Sequence, residues 1–154
     1  MLTSTERTTE LRAEVPTAAV RRYVDAFNAG DEDQLAACFT AEGFILDGMA
    51  PHVFAGPSAT RDWYRHAIAA SEPRGITNFH MMLGAPTHDA SVGDVAYFAA
   101  PATLSFEVHG QHVAQAGATF TVALRKVNGE WLIQAWAWTR GGGSGVDDVP
   151  KGSD

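Results

Sequence analysis

Val20-Arg21-Arg22-Tyr23-Val24-Asp25-Ala26-Phe27-Asn28-Ala29-Gly30-Asp31 is the stretch on which the reading of this chain turns. Val20, Tyr23, Val24 and Phe27 fall at i, i+3, i+4 and i+7, the apolar stripe of a helix with one face on a core. Pro16 suits the first turn of that helix, where its missing N–H costs nothing. Asn28-Ala29-Gly30 ends it, Gly30 supplying the left-handed C-terminal cap. Asp31 then caps a short second helix whose apolar side is Leu35, Cys38 and Phe39.

Downstream, Phe44-Ile45-Leu46 is a brief strand-like run broken by Asp47-Gly48, and His52-Val53-Phe54 is another extended piece. Gly56-Pro57-Ser58 opens a third helix carrying Trp63, Tyr64, Ala67 and Ile68. After Pro73 the pattern changes to strands: Ile76 to about Pro86, Val95 to Val108, Val113 to Val127 and Trp131 to Thr139. Asn128-Gly129 between the last two is a hairpin turn signal. Three helices followed by a long antiparallel meander predict an α+β domain with the helices on the concave face of a curved sheet. The mouth of such a cone is a natural ligand site. The expected organisation is an N-terminal arm over 1–15, one domain over 16–140 and a tail over 141–154, whose Gly-Gly-Gly-Ser-Gly run is too apolar-poor to fold.

Composition narrows the functions. The 154 residues carry a formal charge of −7, which argues against nucleic acid, since phosphate binding needs clustered Lys and Arg. No run approaches the roughly 18 apolar residues of a membrane span, and the first residues lack a signal-peptide core. Cys38 is the only cysteine, so neither a disulfide framework nor a cysteine metal site is expected. His88, His109 and His112 lack ligand spacing. The expectation is a cytoplasmic protein without metal or cofactor that holds a small, neutral, apolar organic molecule.

The 20–31 stretch closely resembles the first helix of bacterial ketosteroid isomerases. The likeness continues through Leu35-Ala36-Ala37-Cys38-Phe39 to Asp47 and resumes over Glu130–Trp138, so it spans about residues 16–140. The Asn-Ala-Gly-Asp turn is similar throughout the wider nuclear transport factor 2-like superfamily, SnoaL-like cyclases included. The resemblance implies a cone of three helices on a strongly curved antiparallel sheet, and a homodimer with Ala135 and Ala137 on its outer face. It also implies that Tyr23 donates to a substrate carbonyl and that Asp47, 24 positions later, shuttles the proton. The isomerases add a protonated Asp from a late strand, whereas Ala114–Thr121 here contains no carboxylate; one such donor is worth about 3 kcal/mol of transition-state stabilisation.

Other candidates surround that pair. Asp47 follows an apolar run, and burial there raises a carboxyl pKa and suits it to general-base work; an Asp before Gly is also ordinary turn chemistry. Strand alternation puts Gln134, Trp136 and Trp138 on one face. Trp138 matches a pocket aromatic of the isomerases, and Gln134 is a candidate for the missing donor. Phe27, Phe54, Trp63 and Met82 complete the candidate lining, with plain core packing as their alternative use. His80 resembles the strand histidine of scytalone dehydratase and bile-acid dehydratase relatives. Three functions therefore compete: a cofactor-independent isomerase, lyase or cyclase using Asp47 and Tyr23, a dehydratase or polyketide cyclase using His80 with Asp47, and a non-catalytic binding or dimerisation module.

Overall fold

The computed structural model describes residues 13–141; residues 1–12 of the expected arm and 142–154 of the expected tail lie outside them. Helix α1 spans Pro16–Ala29, with Pro16 in its first turn. Its buried stripe includes Val20, Tyr23, Val24 and Phe27. Gly30 takes φ 69°, and the Gly30 and Asp31 N–H groups close on Phe27 O and Ala26 O, the two bonds of a Schellman cap. The Asp31 carboxylate accepts from Gln34 N–H at 3.1 Å and starts α2, Glu32–Ala37.

Asn28 has a second task. Its amide donates to Met81 O at 3.0 Å and accepts from Met81 N–H at 2.7 Å, so the end of α1 is fastened to a strand more than 50 residues away. Because that strand forms one end of the sheet, the Asn28 side chain supplies the pairing that no neighbouring strand provides there.

The strands are β1 (Phe39–Leu46), β2 (Val53–Gly56), β3 (Ile76–Leu83), β4 (His88–Val92), β5 (Val95–Val108), β6 (Gln111–Val127) and β7 (Glu130–Thr139). Helix α3, Ala59–Ser71, and a 3₁₀ turn, Glu72–Arg74, lie between β2 and β3. The sheet order is β2-β1-β7-β6-β5-β3, and β4 shares the same edge of β5 with β3.

The α+β cone forms, with three corrections to the expectation. The sheet is mixed, because β1 runs parallel to β7; these strands are distant in sequence and no hairpin dictates their sense. Phe39 opens β1 instead of closing α2. The strand expected from Ile76 to Pro86 stops at Leu83, and β4 follows as a separate piece.

Bulges on β3, β6 and β7 reset which side chains face inward; on β3, Asn78 and Phe79 together oppose Phe106, since Thr77 pairs with Glu107 but His80 with Ser105, and Asn78 takes φ 58°. On β6, Ala116 and Gly117 together oppose one residue of β5, since Leu104 pairs with Gln115 but Ala102 with Ala118; Gly117 provides the φ of 83°. On β7, Gln134 is an extra residue between Ile133 and Ala135, which pair with the adjacent Leu124 and Ala123.

The outer face is unusually apolar. One cross-strand row reads Ala90, Tyr97, Ala123, Ala135, Phe44, Ala55, and the next reads His88, Ala99, Thr121, Ala137, Leu46, Val53. Phe44, Leu46, Val53 and Tyr97 are exposed. Ala13 is buried, and its carbonyl accepts from Trp131 N–H at 2.9 Å. No described helix is long and apolar enough to cross a membrane.

Candidate active site

A cavity of about 180 Å³ lies between α3 and the concave sheet face. It exceeds the roughly 150 Å³ that holds a benzene ring. Phe27 of α1, Trp63 of α3, and Trp136 and Trp138 of β7 form much of its apolar wall. Its charged lining residues are Asp47, Arg74 and Arg140.

Asp47 leaves the end of β1 on a tightly bonded loop. Its N–H donates to His52 O at 2.9 Å, and His52 N–H donates to Met49 O at 2.9 Å. His52 Nδ1 lies 3.0 Å from Asp47 O, so that nitrogen carries the proton. His52 adopts φ 75° to close the loop, a conformation that costs a non-glycine residue and needs such supporting bonds.

The Asp47 carboxylate is half-buried and accepts from Trp63 Nε1–H at 3.1 Å. Burial raises its pKa above the ordinary 3.8; the Trp63 indole, the Gly48 and Met49 N–H groups and nearby His52 partly offset that rise. The result is a carboxyl held at a fixed orientation, with its charged form made costly by an apolar wall.

Tyr23 occupies a different layer. It is wholly buried, accepts from Trp136 Nε1–H at 2.9 Å, and its hydroxyl lies 2.8 Å from Thr60 Oγ1. Trp63 and Trp136 pack edge to face, centroids 4.9 Å apart, and Tyr23 packs against both rings. Tyr23 is absent from the cavity wall; it braces the two tryptophans from behind, and burial pushes its hydroxyl pKa up.

Asp47, Trp63, Phe27, Trp136 and Trp138 thus meet in one cavity, while Tyr23 and four other candidates stand elsewhere. His80 is exposed on β3, because its neighbours Phe79 and Met81 take the inward positions. Met82 is 59% exposed; Met81 lines the cavity in its place. Phe54 is buried against the His66 ring, centroids 5.8 Å apart, and fills the core under β2. Gln134 is turned out by its bulge towards Arg125, whose Nε lies 3.5 Å from Gln134 Oε1.

The glutamine that lines the cavity is Gln115, within the Ala114–Thr121 stretch that lacks a carboxylate. Its inward turn follows from Gly117, and a glycine inside a strand pattern is a legible bulge signal. Arg74 and Arg140 carried no such signal, since each sits at the end of an element whose direction the sequence does not fix.

A sequence model described as the SnoaL-like domain matches residues 7–137. Among solved structures, a nuclear transport factor 2-like superfamily protein from Salmonella enterica is similar at 15% identity. The match covers 92% of this chain and 98% of that one, with a TM-score of 0.69. A ketosteroid isomerase-like protein from Erwinia carotovora atroseptica is similar at 18% identity over 82% and 93%, TM-score 0.65. A protein of unknown function with the same fold from Pseudomonas putida matches at 17% over 88% and 87%, TM-score 0.63. Likenesses at these identities speak for the fold alone.

Proposed function

The chain belongs to the SnoaL-like domain family, and from that premise we propose that it is a cofactor-independent acid–base enzyme of the isomerase, lyase or cyclase type. Its substrate is a small carbonyl compound of one or two rings. One observation carries the reading: a carboxyl of raised pKa on the wall of an apolar cavity, oriented by Trp63. Asp47 takes a proton from the carbon next to the carbonyl, and Trp63 holds the carboxylate in line. Arg140 lines the same cavity, its side chain beside Gly48, and its positive charge stabilises the developing enolate oxygen. Stabilisation of that kind acts mainly in the transition state and therefore raises turnover. The proton then returns to another carbon, or a leaving group departs.

The experiment is exchange of the α-protons of 2-tetralone in D₂O, followed by proton NMR. Wild type is expected to exceed Asp47→Asn by about 100-fold, the usual contribution of a positioned base. The base form is required, so the rate should rise with pH through a midpoint above 3.8, the direction burial dictates. Equal rates in the two proteins would sink the proposal.

A second reading has its own observation: the Gly48 and Met49 N–H groups lie close enough to lower the Asp47 pKa, as they would if the carboxylate merely closed its own turn. Under that reading the domain binds small molecules without chemistry, and 2-tetralone binds without exchange. A dehydratase using His80 with Asp47 gains no support, since His80 lies off the cavity wall. We propose in addition that two copies pair through the apolar outer rows.

A further inference from the structure

The geometry points to a carboxylate-binding end in the same cavity, formed by Arg74, which makes the ligand an apolar, ring-bearing acid and not a neutral molecule. This deepens the reading of the cavity as the substrate site and rests on it.

Arg74 ends the 3₁₀ turn after α3 and lines the cavity. Its Nε is buried and has no hydrogen-bond partner, and neither Arg74 nor Gln115 has a side-chain partner among the described residues. Arg74 therefore brings to the cavity wall a guanidinium that no side chain of the described residues neutralises, and a cation on an apolar wall calls for an anionic partner. The nearby acids do not fill that role: Glu107 accepts from Asn78 at 3.1 Å, and Glu72 is exposed on the turn.

Charge points the same way. The chain carries −7 overall, yet Arg74 stands on an otherwise largely apolar wall with no acidic side-chain partner. A guanidinium presents Nε–H and Nη–H as a planar fork that matches the two oxygens of a carboxylate. Gln115, opposite Leu104 on the neighbouring strand, adds a neutral amide donor elsewhere on the same wall.

The spacing then orients the ligand. Trp63, which holds Asp47, and Ser71, at the Arg74 end, are eight residues apart on α3, about 12 Å along the helix axis. A carboxylate is repelled by Asp47 and drawn to Arg74, so the acid group goes to the far end and the reacting carbon faces the base. The attractive and repulsive elements together supply specificity.

The test compares trans-cinnamate with trans-cinnamamide, an acid and its neutral isostere, using the Trp63 and Trp136 indole signals in ¹⁵N NMR titrations. Wild type should bind the acid about ten-fold or more tighter than the amide, the scale of a charge-assisted hydrogen bond. Arg74→Gln should erase that preference and leave amide affinity unchanged, which also reports an intact cavity. Asp47→Asn should keep the preference. Equal wild-type affinities, failure of the acid to bind, or a preference that survives Arg74→Gln would each overturn the inference. A preserved preference without Asp47-dependent exchange would remove the catalytic reading alone.

Discussion

At Tyr23, chemistry and architecture compete for one hydroxyl, and architecture wins. The phenol is hydrogen-bonded to Thr60 and Trp136 inside the protein, so removing its oxygen strips both of a partner. Tyr23→Phe should therefore destabilise the fold by about 2 kcal/mol, measured by urea unfolding, with little change in ligand affinity at equal folded fraction. A hydroxyl that served the ligand would give the reverse: an affinity loss at unchanged stability. Sequence pattern placed Tyr23 on the inner stripe of α1 correctly, but periodicity gives only direction. It cannot show that two tryptophans from α3 and β7 interpose between that stripe and the cavity. Asp47 was readable because it ends an apolar strand, where burial and loop position coincide.

Among the elements, helices were read almost to their ends because their signals are local: stripe, glycine cap, Asp31 at the next start. Strand interiors were readable too, but their facing was not. A bulge inverts alternation beyond it, so strict alternation points Gln134 inward where the structure turns it out. The long-range fastening of α1 to β3 by Asn28 was equally hidden, since nothing near Asn28 announces Met81. Asn28→Ala should leave the Met81 N–H and carbonyl unpaired at an edge strand, costing about 2 kcal/mol. Amide hydrogen exchange offers a local check: Met81 protection should fall well before that of the central strands β6 and β7. Uniform loss across the sheet, or none, would show that Asn28 is not the clasp.

For the whole molecule, the two outward rows make an exposed apolar surface that crosses six strands, a feature that monomers rarely keep bare. Residues on it are small or flat at the centre, Ala123, Ala135, Thr121 and Ala137, with larger side chains at the Phe44 and Tyr97 flanks. A second copy of the same surface fits such a profile by two-fold pairing. Sedimentation of the wild type should give a dimer, and Ala135→Arg should yield a folded monomer with unchanged far-ultraviolet circular dichroism. A wild type that sediments as a monomer would refute the pairing.

The parallel contact between β1 and β7 also imposes an order in time. β1 gains β2 within a few residues of its own end, but its other edge stays open until β7, the last strand, has been made. During synthesis the Asp47 strand must wait for nearly the whole domain before it is flanked on both sides. Contacts so far apart in sequence slow folding, and an uncovered strand edge with exposed Phe44 and Leu46 invites the wrong neighbour meanwhile. A truncation that removes β7 therefore leaves the Asp47 strand open along one edge.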